Sequence, residues 1–246
     1  MNLNLENAQV GHVGHPPLLE LDSWFLEAGG LHVILGSNGA GKSTLLRSIL
    51  GIHPLLSGSV ALEAGSRNWG PENRANWIKH LAFVPSTPPQ QVGLTVREVL
   101  ELSGDACEAA RLNPRLEPWF NLRLSQLSDG QAQQVMVARA MLQSRHWVVL
   151  DEPTAFLDVA AQRDMWAMLS RHVEEGGSVL MATHDLRGVQ RGLASTTPEV
   201  CSKSSITLLH NRAIQSIPVG ASLEELELEL ERALGGARLG SFGSRL

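Results

Sequence analysis

At 246 residues and 43% hydrophobic composition, the chain is large enough for one α/β domain, or for a core with a small inserted unit, and it has the apolar content to bury a sizeable interior. A formal net charge of −5 leaves no basic footprint and argues against non-specific nucleic-acid binding. Cys107 and Cys201 show no C-x-x-C spacing, so neither a disulfide framework nor a zinc site is indicated, and both are expected to be reduced thiols of a cytosolic protein. No stretch has the apolar length needed to cross a bilayer, and the N-terminal residues lack a basic-then-apolar signal pattern. Any role at a membrane is therefore expected to run through a partner.

In chain order, residues 1–35 read as short strands punctuated at Gly11–Gly14, Pro16-Pro17 and Gly29-Gly30. Trp24 is expected in the core. The apolar run Leu31–Leu35 leads into Gly36-Ser37-Asn38-Gly39-Ala40-Gly41-Lys42-Ser43-Thr44, and then into the helix-prone segment Leu45–Leu50. This is G-x-x-x-x-G-K-[ST] in its required setting of strand, glycine loop and helix. Glycines let successive backbone N–H groups turn inward around an anion, and the helix start adds the positive end of its dipole. Lys42 can then reach the β- and γ-phosphates while the Ser43 hydroxyl ligates magnesium. The implied ligand is a nucleoside triphosphate.

Further on, Ser57–Leu62 predicts a turn and strand, and Leu81–Val84 a short strand stopped by Pro85. Past Pro88-Pro89 and Gly93 the pattern becomes helical, with Thr95 placed as a cap and Glu98 three residues later. A helix is expected over Gln131–Leu142, and a buried parallel strand at Trp147–Leu150. A helix near 159–174, the strand Ser178–Thr183 and a helix beginning near Asp185 continue the alternation that builds a mostly parallel sheet. The tail from Leu223, rich in Glu and Leu, predicts an acidic amphipathic helix, and the Gly- and Ser-rich end a frayed terminus.

Two further elements carry chemistry. Val148–Leu150 ends in Asp151-Glu152: Asp151, at the strand's C-terminal edge, can hold magnesium, and Glu152 can polarise a water for in-line attack. Without a phosphate loop the same pair would read equally well as a helix cap before Pro153. Leu127-Ser128-Asp129-Gly130-Gln131 stands directly before a helix, and by itself it is an ordinary cap.

Taken in order, the phosphate loop, Leu127–Gln131, Asp151-Glu152-Pro153-Thr154, Phe156-Leu157-Asp158 and His184 resemble the ATP-binding cassette (ABC) ATPases over nearly the whole chain. The family signature is usually Leu-Ser-Gly-Gly-Gln; Asp129 occupies its third place here. The resemblance implies one α/β domain over 1–246: a P-loop NTPase core with a mostly parallel sheet and an N-terminal antiparallel β part. An inserted helical subdomain over 86–145 would carry the signature, and 223–246 would form a C-terminal helix and tail.

It also implies ATP and Mg²⁺ as ligands, and a head-to-tail homodimer in which Ser128, Gly130 and Gln131 of one chain close on the nucleotide of the other. Asp158 would couple the two sites. Glu152, His184 and Lys42 would be catalytic, while Ser43, Asp151 and a glutamine would hold the metal. That glutamine should fall at Ser86, so Gln90 or Gln91 would have to replace it. An aromatic near adenine is expected about two dozen residues before the loop. The chain has no tyrosine, and His12 stands there, either as a base-stacking ring or as a solvated loop histidine.

The implied function is the ATP-hydrolysing subunit of an ABC transporter. The resemblance in Asp129, Val135–Ala140 and Asp151–Asp158 implies import of an iron chelate, haem or corrinoid through separate transmembrane permease subunits, with a periplasmic or extracellular solute-binding protein. The chain would lie in the cytoplasm, peripheral to the inner face of the membrane, without a nucleic-acid partner. The alternative is a soluble ABC ATPase that remodels a protein or nucleic-acid assembly.

Overall fold

A computed structural model describes residues 1–89, 92–143, 146–217, 219–220 and 223–233. Two sheets organise it. In the first, β1 (Asn2–Val10) pairs antiparallel with β2 (Leu19–Leu26) and with β4 (Ser57–Ala64), and β5 (Arg67–Trp69) extends the edge, giving the order β2-β1-β4-β5. The second contains β3 (Leu31–Leu35), β6 (Leu81–Val84), β7 (Trp147–Asp151), β8 (Ser178–Thr183), β9 (Ser205–His210) and β10 (Ala213–Ile217) in the order β10-β9-β3-β8-β7-β6. All its pairings are parallel except that of β10 with β9.

β3, β7 and β8 are buried along their whole length, which explains their continuous apolar sequence. Successive side chains of a strand face opposite sides, and β3 shows the consequence. Leu31, Val33 and Leu35 enter one core, and Ile34 the other. The first core lies under α5 (Asp129–Gln143), α6 (Val159–Glu174) and α7 (Leu186–Leu193), with Met136, Met165 and Val189 against the sheet. The short α8 (Pro198–Lys203) and α9 (Leu223–Ala233) add Val200 and Leu226 to it. The second core is sandwiched between the two sheets. It holds Leu45, Leu46 and Ile49 of α1 (Lys42–Ile49), Trp24, and Trp77 of α2 (Arg74–His80).

A third cluster joins α3 (Val96–Glu101), α4 (Ala106–Leu112) and the 3₁₀ turns Pro114–Trp119 and Leu124–Gln126 to α5. α5 is buried on two sides: Ala132, Val135 and Ala138 face this helical layer, while Val137, Ala140 and Met141 face the sheet. Thr95 and Glu98 make the reciprocal capping box that their spacing predicts, Glu98 N–H donating to Thr95 Oγ1 at 3.3 Å and Thr95 N–H to Glu98 Oε2 at 2.7 Å.

The register matters most for function. Leu35 of β3 sits opposite Thr183 of β8, and Ala182 opposite Asp151 of β7. The ends of three adjacent parallel strands therefore lie level, so the segments leaving them meet at one edge of the sheet. α1 continues from the first of these ends and is fixed by its buried Leu45, Leu46 and Ile49. Leu46→Ala should cost about 2–5 kcal/mol through transfer and cavity terms. Urea denaturation measures it, and a loss below about 1 kcal/mol would mean that α1 is not anchored this way.

Candidate functional site

The loop after β3 turns through Gly39 (φ 84°) and Gly41 (φ 95°), left-handed backbone that other residues rarely adopt. Gly41 caps α1 with no side-chain hydrogen bond, and the first turn carries no acidic residue. Its N–H groups and dipole are thus left to an anion, the property a triphosphate requires. Lys42, buried to 6% exposure, donates from Nζ to the carbonyls of Gly36 (2.8 Å) and Ser37 (3.1 Å). The same ammonium lies 3.1 Å from Glu152 Oε1.

On the next strand but one, Asp151 Oδ1 accepts a hydrogen bond from Ser43 Oγ at 2.9 Å. Burial pushes the Asp151 carboxyl above its usual 3.8, against the Ser43 hydrogen bond. A divalent cation would stabilise a buried carboxylate of this kind, and a hydroxyl beside a carboxylate is the hard oxygen pair that suits magnesium. The residues present fit both groups.

Glu152 adopts φ 48°, uncommon for a side-chain-bearing residue, while its N–H bonds Ala182 O at 2.8 Å. This turns its carboxylate across the end of β8. There Oε2 accepts from His184 Nδ1 at 2.8 Å and from His184 N–H at 3.3 Å. Burial acts to raise the Glu152 carboxyl, but the His184 hydrogen bond and the Lys42 charge outweigh it and hold the group below its usual 4.5. The same hydrogen bond, against partial burial, raises His184 above 6.5. Glu152 is an ionised, oriented acceptor, positioned to take up a proton or align a water.

A cleft of about 330 Å³ lies over these groups, lined by His12, Leu18, Asn38, Gly39, Gly41, Lys42, Ser43, Thr44, Ser86 and Glu152. A neighbouring cavity of about 480 Å³ is lined by His12, His15, Pro16, Pro17, Leu18 and Arg212. His12 stands at the boundary of both, exposed, its ring edge-on to His53 at 5.9 Å. The sequence singled out Ser86 only as the wrong residue for its place, and Leu18 not at all; both line the cleft. Gln90 and Gln91 lie outside the described residues.

Ser128, Gly130 and Gln131 do not line this cleft. They begin α5 as a reciprocal cap: Ser128 N–H donates to Gln131 Oε1 at 2.9 Å, and Gln131 N–H to Ser128 Oγ at 3.3 Å. Asp158 also lies outside the cleft and caps α6, its Oδ1 accepting from Ala161 N–H at 2.7 Å. The two helix starts touch. A Cβ on Gly130 would lie 2.5 Å from the Phe156 carbonyl oxygen, a contact no spacing rule reveals.

A phosphate loop, an acidic strand end and a histidine just after β8 define a P-loop nucleotide hydrolase. The family model described as "ABC transporter" matches residues 19–155. The phosphonates import ATP-binding protein PhnC of Trichormus variabilis is 33% identical over 216 residues, covering 74% of this chain and 82% of that protein. The zinc import ATP-binding protein ZnuC of Ruegeria sp. is 31% identical, covering 81% and 76% respectively. Among solved structures, an ATP-binding subunit of an ABC transporter superposes with a TM-score of 0.75 at 25% identity, over 94% of this chain and 99% of that one. The chain belongs to the ABC transporter family, as an ATPase that takes ATP with Mg²⁺.

The contact between Glu152 and His184 sets a pH test. Glu152's contribution, present above 4.5, fades as pH falls through its lowered value; that of His184, full below 6.5, fades as pH rises through its raised value. His184→Gln should therefore be less stable than the parent near about pH 6, with the gap narrowing toward about pH 9. Urea midpoints at the two pH values decide it; a gap that widens with pH contradicts the charged contact.

Proposed function

We propose that this chain is the ATP-hydrolysing subunit of a membrane import system, working as a head-to-tail pair with ATP enclosed between the two copies. The carrying observation is that Lys42, Ser43 and Glu152 line one cleft, with Asp151 bonded to Ser43 and His184 to Glu152, while Ser128, Gly130 and Gln131 of the same chain neither line it nor bond to these groups. A second, differently placed helix start with a serine and a glycine is a half-site, and a two-fold pair supplies what each copy leaves out.

In this reading the loop 36–44 cradles the triphosphate and Lys42 stabilises charge on the transferring phosphoryl group. Ser43 and Asp151 hold Mg²⁺, which neutralises phosphate charge when bound. Glu152 aligns the attacking water and receives its proton, held by His184. Ser128 and Gly130 of the second copy close the chamber, and Asp158 links the two halves. His12 takes the base, and Gln90 adds a metal ligand from the loop after Ser86. The segment 86–145 forms the helical subdomain that faces the permease.

Import is supported by the relatives, whose names specify phosphonate and zinc import. It implies transmembrane permease subunits, a solute-binding protein and a place at the inner face of the membrane. The narrower solute class, an iron chelate, haem or corrinoid, rests on the resemblance in Asp129, Val135–Ala140 and Asp151–Asp158 alone, and those two relatives give it no added support. Among the described residues no helix is long and apolar enough to cross a membrane, so the permease has to be a separate chain or segment.

Glu152→Gln removes the acceptor but leaves the loop intact, so the variant should bind MgATP and sediment as a dimer, with turnover reduced by about 10²-fold or more. A variant that stays monomeric at saturating MgATP rules out the sandwich.

A further inference from the structure

Behind the signature turn, two amides are buried where apolar side chains would pack well. Gln134, 4% exposed and one turn into α5, donates from Nε2 to the Gly130 carbonyl at 3.3 Å. Its Oε1 accepts from Asn113 Nδ2 at 3.0 Å. Asn113 is 2% exposed, and its Oδ1 accepts from Arg115 N–H at 3.1 Å, capping the adjoining 3₁₀ turn. Arg115 then forms an ion pair with Asp164 on α6. The same segments carry Ala132, Val135, Ala138 and Leu116, all fully buried in the helical layer. Replacing a satisfied buried polar pair by apolar groups of similar shape is often neutral or stabilising, so net stability is a weak reason for this one. What such a pair supplies is a single orientation, because each end has one partner at one distance.

The far side of Gly130 leads to the same helix. A Cβ on Gly130 would meet the Phe156 carbonyl oxygen, two residues before the Asp158 cap of α6, so only glycine lets the two turns approach this closely. The Gly130 peptide is thereby held from two directions, by the amide relay that ends on Asp164 and by the turn that starts α6.

We propose that Asn113 and Gln134 are positioning residues that fix the Gly130 peptide relative to the segment 156–158, so that the signature turn of one copy meets the nucleotide on the other. This rests on the sandwich reading above. Neither residue touches nucleotide; both act through Gly130.

The test uses Gln134→Met, close in shape without the amide, and Asn113→Ser, which keeps a hydroxyl oxygen for Arg115 N–H and loses the amide N–H that reaches Gln134. Each is made in the full-length chain, alone and together with Glu152→Gln. Melting temperature should fall by about 10 °C at most, since each change leaves a buried amide group without its partner. MgATP binding by the monomer should stay within about twofold. The Glu152→Gln dimer should need about tenfold more protein to form, and in the otherwise native chain kcat should fall about tenfold while KM for ATP changes less than about threefold.

Dimerisation and kcat within about twofold of the parent would overturn the proposal while leaving the sandwich standing. Failure of both variants to fold would also overturn it, by showing that the amides serve the fold itself. If Glu152→Gln alone does not dimerise, the sandwich falls and the positioning role with it.

Discussion

The site depends on one carboxylate being held from both sides. Glu152 spans the gap between the Lys42 ammonium on the phosphate loop and the His184 imidazole after β8, at 3.1 and 2.8 Å. The loop follows β3 and Glu152 follows β7, with β8 lying between them in the sheet. Only a level register of three parallel strands lets groups so distant in sequence meet within hydrogen-bonding range. Continuous burial of those strands fixes the register, since sheet and helices pack both faces and a slip of one residue would exchange them.

Burial also sets the chemistry. Inside the cleft Coulombic interactions are stronger than in water, so the Lys42 and His184 contacts keep Glu152 ionised although its burial opposes charge. Burial raises the proton affinity of Asp151, one residue earlier and 1% exposed, over the Ser43 hydrogen bond and the charges of Arg47 and Lys42. Neighbouring carboxyls are thus shifted in opposite directions, Glu152 down by its partners and Asp151 up by burial. One is ready to orient a water, and the other is best satisfied by a divalent cation.

Much of this was legible in the residues because its causes are local. Glycines that must take positive φ, a continuous apolar run for a strand covered on both faces, and a Thr-x-x-Glu cap each leave a signature within a few positions. The strands β3, β7 and β8 and the helices α3 and α6 stand where those signals place them. The three-residue β5 and the short α8 carry too few positions for a period to show, and β9 depends on long-range pairing with β3, with β10 joining the sheet only through β9. Contacts across the fold left no trace at all. Nothing near Gly130 announces the Phe156 carbonyl, and Asn113 reaches Gln134 across 21 positions. For the same reason the sequence could place His12 before the loop without showing that it stands at the meeting of two cavities.

The central claim is that each reaction chamber takes its phosphate loop from one copy and its signature turn from the other. Mixing two inactive proteins tests it most directly: Lys42→Ala, and a Ser128→Arg variant that blocks the turn. In a random mixture about half the pairs are mixed, and each mixed pair keeps one intact chamber, so ATPase activity should return toward about a quarter of the native rate. A mixture no more active than its separate components, under conditions where native chains exchange partners, would contradict the shared chamber.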